Sequence, residues 1–188
     1  MNRNGDAHEN LSLFFQIGGV PPKMVMDGSK EQNHGSFMKK CQEADFHINQ
    51  TEQYSTWQLQ AEGTIIYLKK AVVRKMVREG APNRIWEDAL EFEAYVRSNK
   101  ALDIYMLKGK VPETVMFGGI YDISQFCRAW FYDWVVFRDK PIKYSDENSL
   151  LGMYLGPAIY VGQEMMDKIM KAIVEVFHRS TYRGIKED

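Results

Sequence analysis

The sequence predicts a mixed α/β chain from three observations. These are one long helical periodicity, a brief apolar run stopped by an Asp-Gly pair, and a change to short aromatic and β-branched runs beyond Gly118. Residues 1–118 read as helices with short strands between them, and residues 119–188 as a small β-rich region.

Leu11, Leu13, Phe14, Phe15 and Ile17 precede Gly18 and Gly19, the pattern of a short amphipathic helix closed by a glycine cap. Residues 20–22 form a connector. Met24, Val25 and Met26 make an apolar run halted by Asp27 and Gly28, as a buried strand ending in a turn would be, which puts Asp27 at the strand's C-terminal end. Ser36 is placed to cap a helix running through Phe37, Met38 and Cys41 towards Ala44, and His47, Ile48 and Asn49 open another strand. Residues 50–56 are a polar loop. Over 57–79, Ala61, Ile65, Leu68, Val72 and Met76 recur at three- and four-residue intervals, and Gly80 and Pro82 end the helix. A second helix over 85–98 carries Ile85, Ala89, Phe92 and Val96 on one face, and a shorter one covers 112–117. The Glu-rich outer surfaces of these helices read as solvated faces. Short strands are expected at 134–137, 151–155, 159–161 and 173–177, with a boundary at Gly118 and Gly119 and no internal repeat.

With 188 residues, 45% of them hydrophobic, the chain can bury one core of ordinary size or a domain with an appendage. Its 24 Lys and Arg balance 25 Asp and Glu, so any signal for a polyanionic partner has to be local. No apolar run is long enough for a signal peptide or a membrane span, and the expectation is a soluble intracellular protein with no membrane partner. Cys41 and Cys127 are far apart and read as free buried thiols, and His8, His34, His47 and His178 lack metal-ligand spacing. Trp57, Trp86, Trp130 and Trp134 read as core or interface anchors rather than base-stacking platforms.

Chemistry concentrates at Asp27 and Glu62, one carboxylate at a strand end and the other at a helix start, 35 positions apart. Two-metal phosphoryl transfer needs carboxylates converging from rigid elements to hold divalent ions about 3.5–4 Å apart. Lys69 lies seven residues beyond Glu62, only about 20° further round a helix. Lys70, Arg74, Lys75 and Arg78 continue the basic stripe, with no acidic residue between Glu62 and Glu79. Taken singly, an Asp-Gly pair is most often a turn, a helical Glu is most often solvated, and basic residues on a helix more often serve solubility than DNA.

The stretch Val20-Pro21-Pro22-Lys23-Met24-Val25-Met26-Asp27-Gly28-Ser29-Lys30-Glu31 resembles the region around the second catalytic aspartate in integrases of copia-like retrotransposons, with Asp27 matching that aspartate. Thr51-Glu52-Gln53-Tyr54-Ser55-Thr56-Trp57 followed by Ala61-Glu62 resembles the loop and helix start that present the catalytic glutamate, which Glu62 matches. Lys69 falls where the family places a DNA-contacting lysine. Further matches run through residues 90–98, 111–115 and 178–183, so the resemblance covers nearly the whole chain.

That resemblance implies a partial ribonuclease-H-like integrase core over 1–118, a β-rich region over 119–188, Mg2+ at a two-metal site held by Asp27 and Glu62, and DNA as partner. DNA contacts are expected at Lys69, Lys70, Arg74, Lys75 and Arg78. A homo-oligomer and, for an expressed protein, nuclear localisation are compatible with it. The family's first catalytic aspartate has no match upstream of Asp27, so the expectation is a truncated, catalytically inert integrase chain. Thr56 replaces a proline, Leu59 and Gln60 replace small or amide residues, and Ala172-Ile173-Val174 replaces a polar, glycine-containing turn. The alternatives are a non-catalytic nucleic-acid-binding remnant and a protein interaction module.

Overall fold

Gly19 sets the end of the first helix: at φ +76°, a conformation glycine adopts without a Cβ penalty, its N–H donates to the Phe15 carbonyl at 3.0 Å. The computed structural model describes residues 7–26, 35–52, 60–104, 106–119, 123–124, 128–138, 149–158, 166–171 and 175–185, and the chain divides into two compact units, Met1–Tyr67 and Leu68–Asp188.

The first unit holds α1 (Ala7–Gly18), β1 (Lys23–Met26), α2 (Gly35–Glu43) and β2 (His47–Gln50). β1 and β2 pair in parallel, from Lys23 opposite His47 to Met26 opposite Gln50, and α2 lies in the crossover that parallel pairing requires. Leu11, Met26, Phe37 and Cys41 form the buried cluster, and the Phe15 and Phe46 rings meet edge to face at 5.6 Å. β1 is not buried throughout, as the apolar run had suggested. Val25 points outward and only Met26 is fully enclosed, because two paired strands have one covered face. Ser36 lies within the first turn of α2, the helix beginning at Gly35. Burial also pushes the Cys41 thiol above its ordinary pKa, as suits a free thiol packed as a small hydrophobe. Cys127 lies outside the described residues.

The long helix α3 (Gln60–Glu79) ends at Gly80, whose φ is +63°. Its Val72 and Met76 enter the core of the second unit, where a single 3-10 turn (Asn83–Ile85) leads into α4 (Trp86–Ser98) and then α5 (Pro112–Phe117). Ile85, Ala89 and Phe92 recur at the expected helical spacing and are buried. The earlier positions of the α3 periodicity, Ala61 and Ile65, are exposed instead.

Beneath α4 lies a five-stranded antiparallel sheet of β3 (Trp134–Arg138), β4 (Ser149–Pro157), β5 (Asp167–Met170), β6 (Val176–Arg179) and β7 (Tyr182–Gly184), in the order β6-β5-β4-β3-β7. α4 packs on β4, so the change of texture at Gly118 and Gly119 falls inside this unit. Val135, Phe137, Tyr154 and Ile169 fill the covered side with almost no exposure. The pairing of β4 with β5 shifts between Tyr154 and Gly156, a bulge at which Gly156 takes φ +123°. The expected strand at 159–161 and residues 173–174 of the one expected at 173–177 lie outside the described residues. No helix among the described residues is long and apolar enough to cross a membrane.

At the centre of this core the Tyr154 hydroxyl donates to Asp167 Oδ1 at 3.2 Å, and Asp167 is 4% exposed. Burial raises the Asp167 pKa above the usual carboxylate range, against the opposing effects of the Tyr154 hydrogen bond and the Arg128 charge. Burial and the nearby carboxylate push Tyr182 up to about 12. A carboxylic acid with a raised folded pKa binds its proton more tightly in the folded chain. The stabilisation is therefore complete below the unfolded value of roughly 3.9 and is lost as pH rises through the folded value. Asp167→Asn keeps an acceptor for Tyr154 and removes the charge. Its melting midpoint is expected to exceed the parent's at neutral pH and to converge with it in acid, and a lower midpoint at neutral pH would refute the assignment.

Candidate nucleic-acid interface

Helix α3 carries the basic stripe, and its rotation divides that stripe into two groups with different surroundings. At about 100° per residue, Lys75 falls on the side of Val72 and Met76, whereas Lys70 and Arg74 fall nearly opposite. The second unit follows that division. Lys75 Nζ lies 2.7 Å from Glu93 Oε1 and 4.2 Å from the centre of the Phe92 ring, with only 11% of its side chain accessible. Its charge meets Glu93 inside the protein and ties α3 to α4, apart from the exposed cations of the stripe.

Arg78 Nε is 2.5 Å from Glu79 Oε1, which neutralises much of the field it would present to a polyanion. Lys69, Lys70 and Arg74 are exposed, and Arg74 Nε donates to the Lys70 carbonyl at 3.3 Å, which holds its guanidinium along the helix. Val73 and Val77 lie among them with most of their surface in solvent. Lys69, Lys70 and Arg74 are thus the cations of the stripe that stand exposed with no carboxylate against them among the described residues.

Glu62 sits in the first turn of α3, where the N-terminal end of the helix dipole favours a carboxylate, and it is half-buried. Asp27 follows directly on β1 in the sequence but lies outside the described residues, as do residues 53–59. Among the described residues no group of three or more His, Cys, Asp or Glu side chains could hold a metal ion.

The Glu-rich faces of α4 are not simply solvated. Lys168 Nζ on β5 lies 2.6 Å from Glu91 Oε2 and 3.5 Å from Asp88 Oδ1, and Glu93 takes Lys75. These carboxylates fasten α4 to the sheet on one side and to α3 on the other. Of the tryptophans, expected as core or interface anchors, Trp86, Trp130 and Trp134 are half exposed or more and so are not core residues. Alternation along Trp134, Val135, Val136, Phe137 and Arg138 was the signal that could have placed Trp134 outside, since Val135 and Phe137 claim the covered face.

No family model matches the chain, and no curated protein does. Among solved structures, it is similar to a chain in the cryo-EM structure of the simian T-cell lymphotropic virus intasome in complex with PP2A regulatory subunit B56 gamma. There the identity is 10% and the TM-score 0.46, over all of this chain and 68% of that one.

Proposed function

We propose that this chain is an integrase-derived DNA-binding protein of the copia-like retrotransposon type, with a ribonuclease-H-like core in which Asp27 and Glu62 are the metal ligands. The observation that carries the DNA-binding part is α3, where Lys69, Lys70 and Arg74 stand exposed with no carboxylate against them among the described residues. The strand-transfer part rests on the resemblance around Asp27 and Glu62.

Mg2+ at such a site would activate water or a DNA 3′-hydroxyl and offset charge on the leaving oxygen. Two carboxylates are a sparse ligand set for two divalent ions, whose mutual repulsion needs several anionic oxygens to offset it. Each missing electrostatic contribution is worth on the order of 3 kcal/mol, about a hundredfold in rate. Residues 1–188 alone are therefore expected to retain duplex DNA while performing end processing and strand transfer at background rates in Mg2+ or Mn2+. The assay compares the parent chain with Asp27→Ala and Glu62→Gln. Turnover by the parent that disappears in Asp27→Ala would show that another carboxylate completes the site, and absence of DNA retention would remove the proposal altogether.

A further inference from the structure

On β3, β7 and the first half of β4 the second unit leaves an outward row of side chains in water that the DNA-binding reading does not use. Along β3 the side chains alternate, so Val135 and Phe137 turn inward while Trp134, Val136 and Arg138 turn outward. Antiparallel register carries the outward row across the sheet, with Val136 opposite Leu151 on β4 and opposite Arg183 on β7. The Ile185 N–H donates to the Trp134 carbonyl at 3.3 Å, placing Ile185 beside Trp134. Trp134, Leu151 and Ile185 each leave about half their surface in water, at 50%, 54% and 51%. Arg138 and Arg183 are exposed on this side of β3 and β7, where none of the described outward strand residues is a carboxylate, Asp88 and Glu91 of α4 meeting the sheet further across at Lys168 on β5.

We propose that this outer sheet face docks a segment of a partner protein that carries carboxylates beside a large apolar side chain. Exposed tryptophan, leucine and isoleucine framed by arginines have the composition of a protein-binding hot spot, in which aromatic and Arg side chains supply most of the energy. The two arginines fix the sign of the partner, since a carboxylate can meet either guanidinium in a forked pair. A two-fold contact with a second copy would set arginine against arginine around the axis. A nucleic-acid strand would leave the aliphatic side chains without a matching surface and meet, among the described outward residues of β3 and β7, only two cations.

The test uses the full chain and a short dye-labelled peptide in which Glu alternates with Leu and Phe, followed by fluorescence anisotropy. Saturable binding is expected, weakened about tenfold or more by Trp134→Ser and by the double change Arg138→Glu with Arg183→Glu. The double variant is expected to acquire binding of the same peptide with Lys in place of Glu, a gain that an unfolded protein cannot give. Lys69→Ala with Lys70→Ala should leave peptide binding unchanged, which separates this surface from the DNA-binding helix. Equal affinity of the charge-reversed chain for the acidic peptide would overturn the proposal. So would an Arg138- and Arg183-dependent preference for oligo-dT or anionic vesicles, or a dimer in sedimentation that those changes dissociate.

Discussion

Replacing Gly156 by alanine is expected to destabilise the second unit by about 2–6 kcal/mol, the sum of a backbone cost of roughly 1–3 and a packing cost of similar size. Gly156 holds φ +123°, a conformation that L side chains rarely adopt, and a Cβ there would stand 2.8 Å from Phe92 Cδ2. Phe92 cannot retreat cheaply. It is 3% exposed, its ring meets Phe131 at 5.6 Å and Tyr154 at 6.5 Å, and Lys75 lies over its face. Gly152 provides a comparison without backbone strain: its Cβ would approach Ile169 Cγ2 to 2.5 Å and the Met170 carbonyl oxygen to 3.0 Å. Gly152→Ala should therefore cost about 1–3 kcal/mol through space alone. Gly63 on α3 meets nothing within 4 Å, and Gly63→Ala should stabilise by up to about 1 kcal/mol. Urea midpoints for the three variants check the order, and a Gly156→Ala midpoint equal to the parent's would show that the bulge can relax.

The helices were legible because their signals are local. Residues 85–98 announced α4 through Ile85, Ala89 and Phe92, and Pro112 with Gly118 bracketed α5, the glycine closing it at φ +75°. β5 and β7 were not foreseen. β5 opens with Asp167 and Lys168, which read as polar, and only the tertiary structure supplies a Tyr154 hydroxyl for one and Asp88 and Glu91 for the other. Helical periodicity likewise could not reveal which turns of α3 are covered, since Ile65 fits the pattern as well as Val72 and yet stays exposed. The same limit explains Lys75: sequence counts it with Lys69 and Lys70, while it sits on a turn of α3 that α4 covers, which gives it to Glu93. Glu62 was placed correctly at a helix start. Its pairing with Asp27 remains a proposal resting on the resemblance.

The other large effect expected is on DNA retention, and the geometry of α3 makes it selective. Three phosphate contacts from Lys69, Lys70 and Arg74 give a slope of log affinity against log salt of roughly −2.7, a loss of roughly 40-fold between 50 and 200 mM salt. With Lys69 and Lys70 both changed to alanine, one contact remains, and the loss over the same range falls to roughly fourfold. The reduction should be alike on every duplex sequence tested, because phosphates carry no base information. Lys75→Ala is the discriminating control. Removing it strands Glu93, whose side chain is 13% accessible, so the variant should lose on the order of 1–3 kcal/mol of stability yet keep the parent's salt slope. Filter retention across a salt series, with thermal melts of the same preparations, reads both quantities. A slope unchanged by the double alanine variant, or flattened by Lys75→Ala in a folded preparation, would show that DNA does not contact α3 through its outward cations.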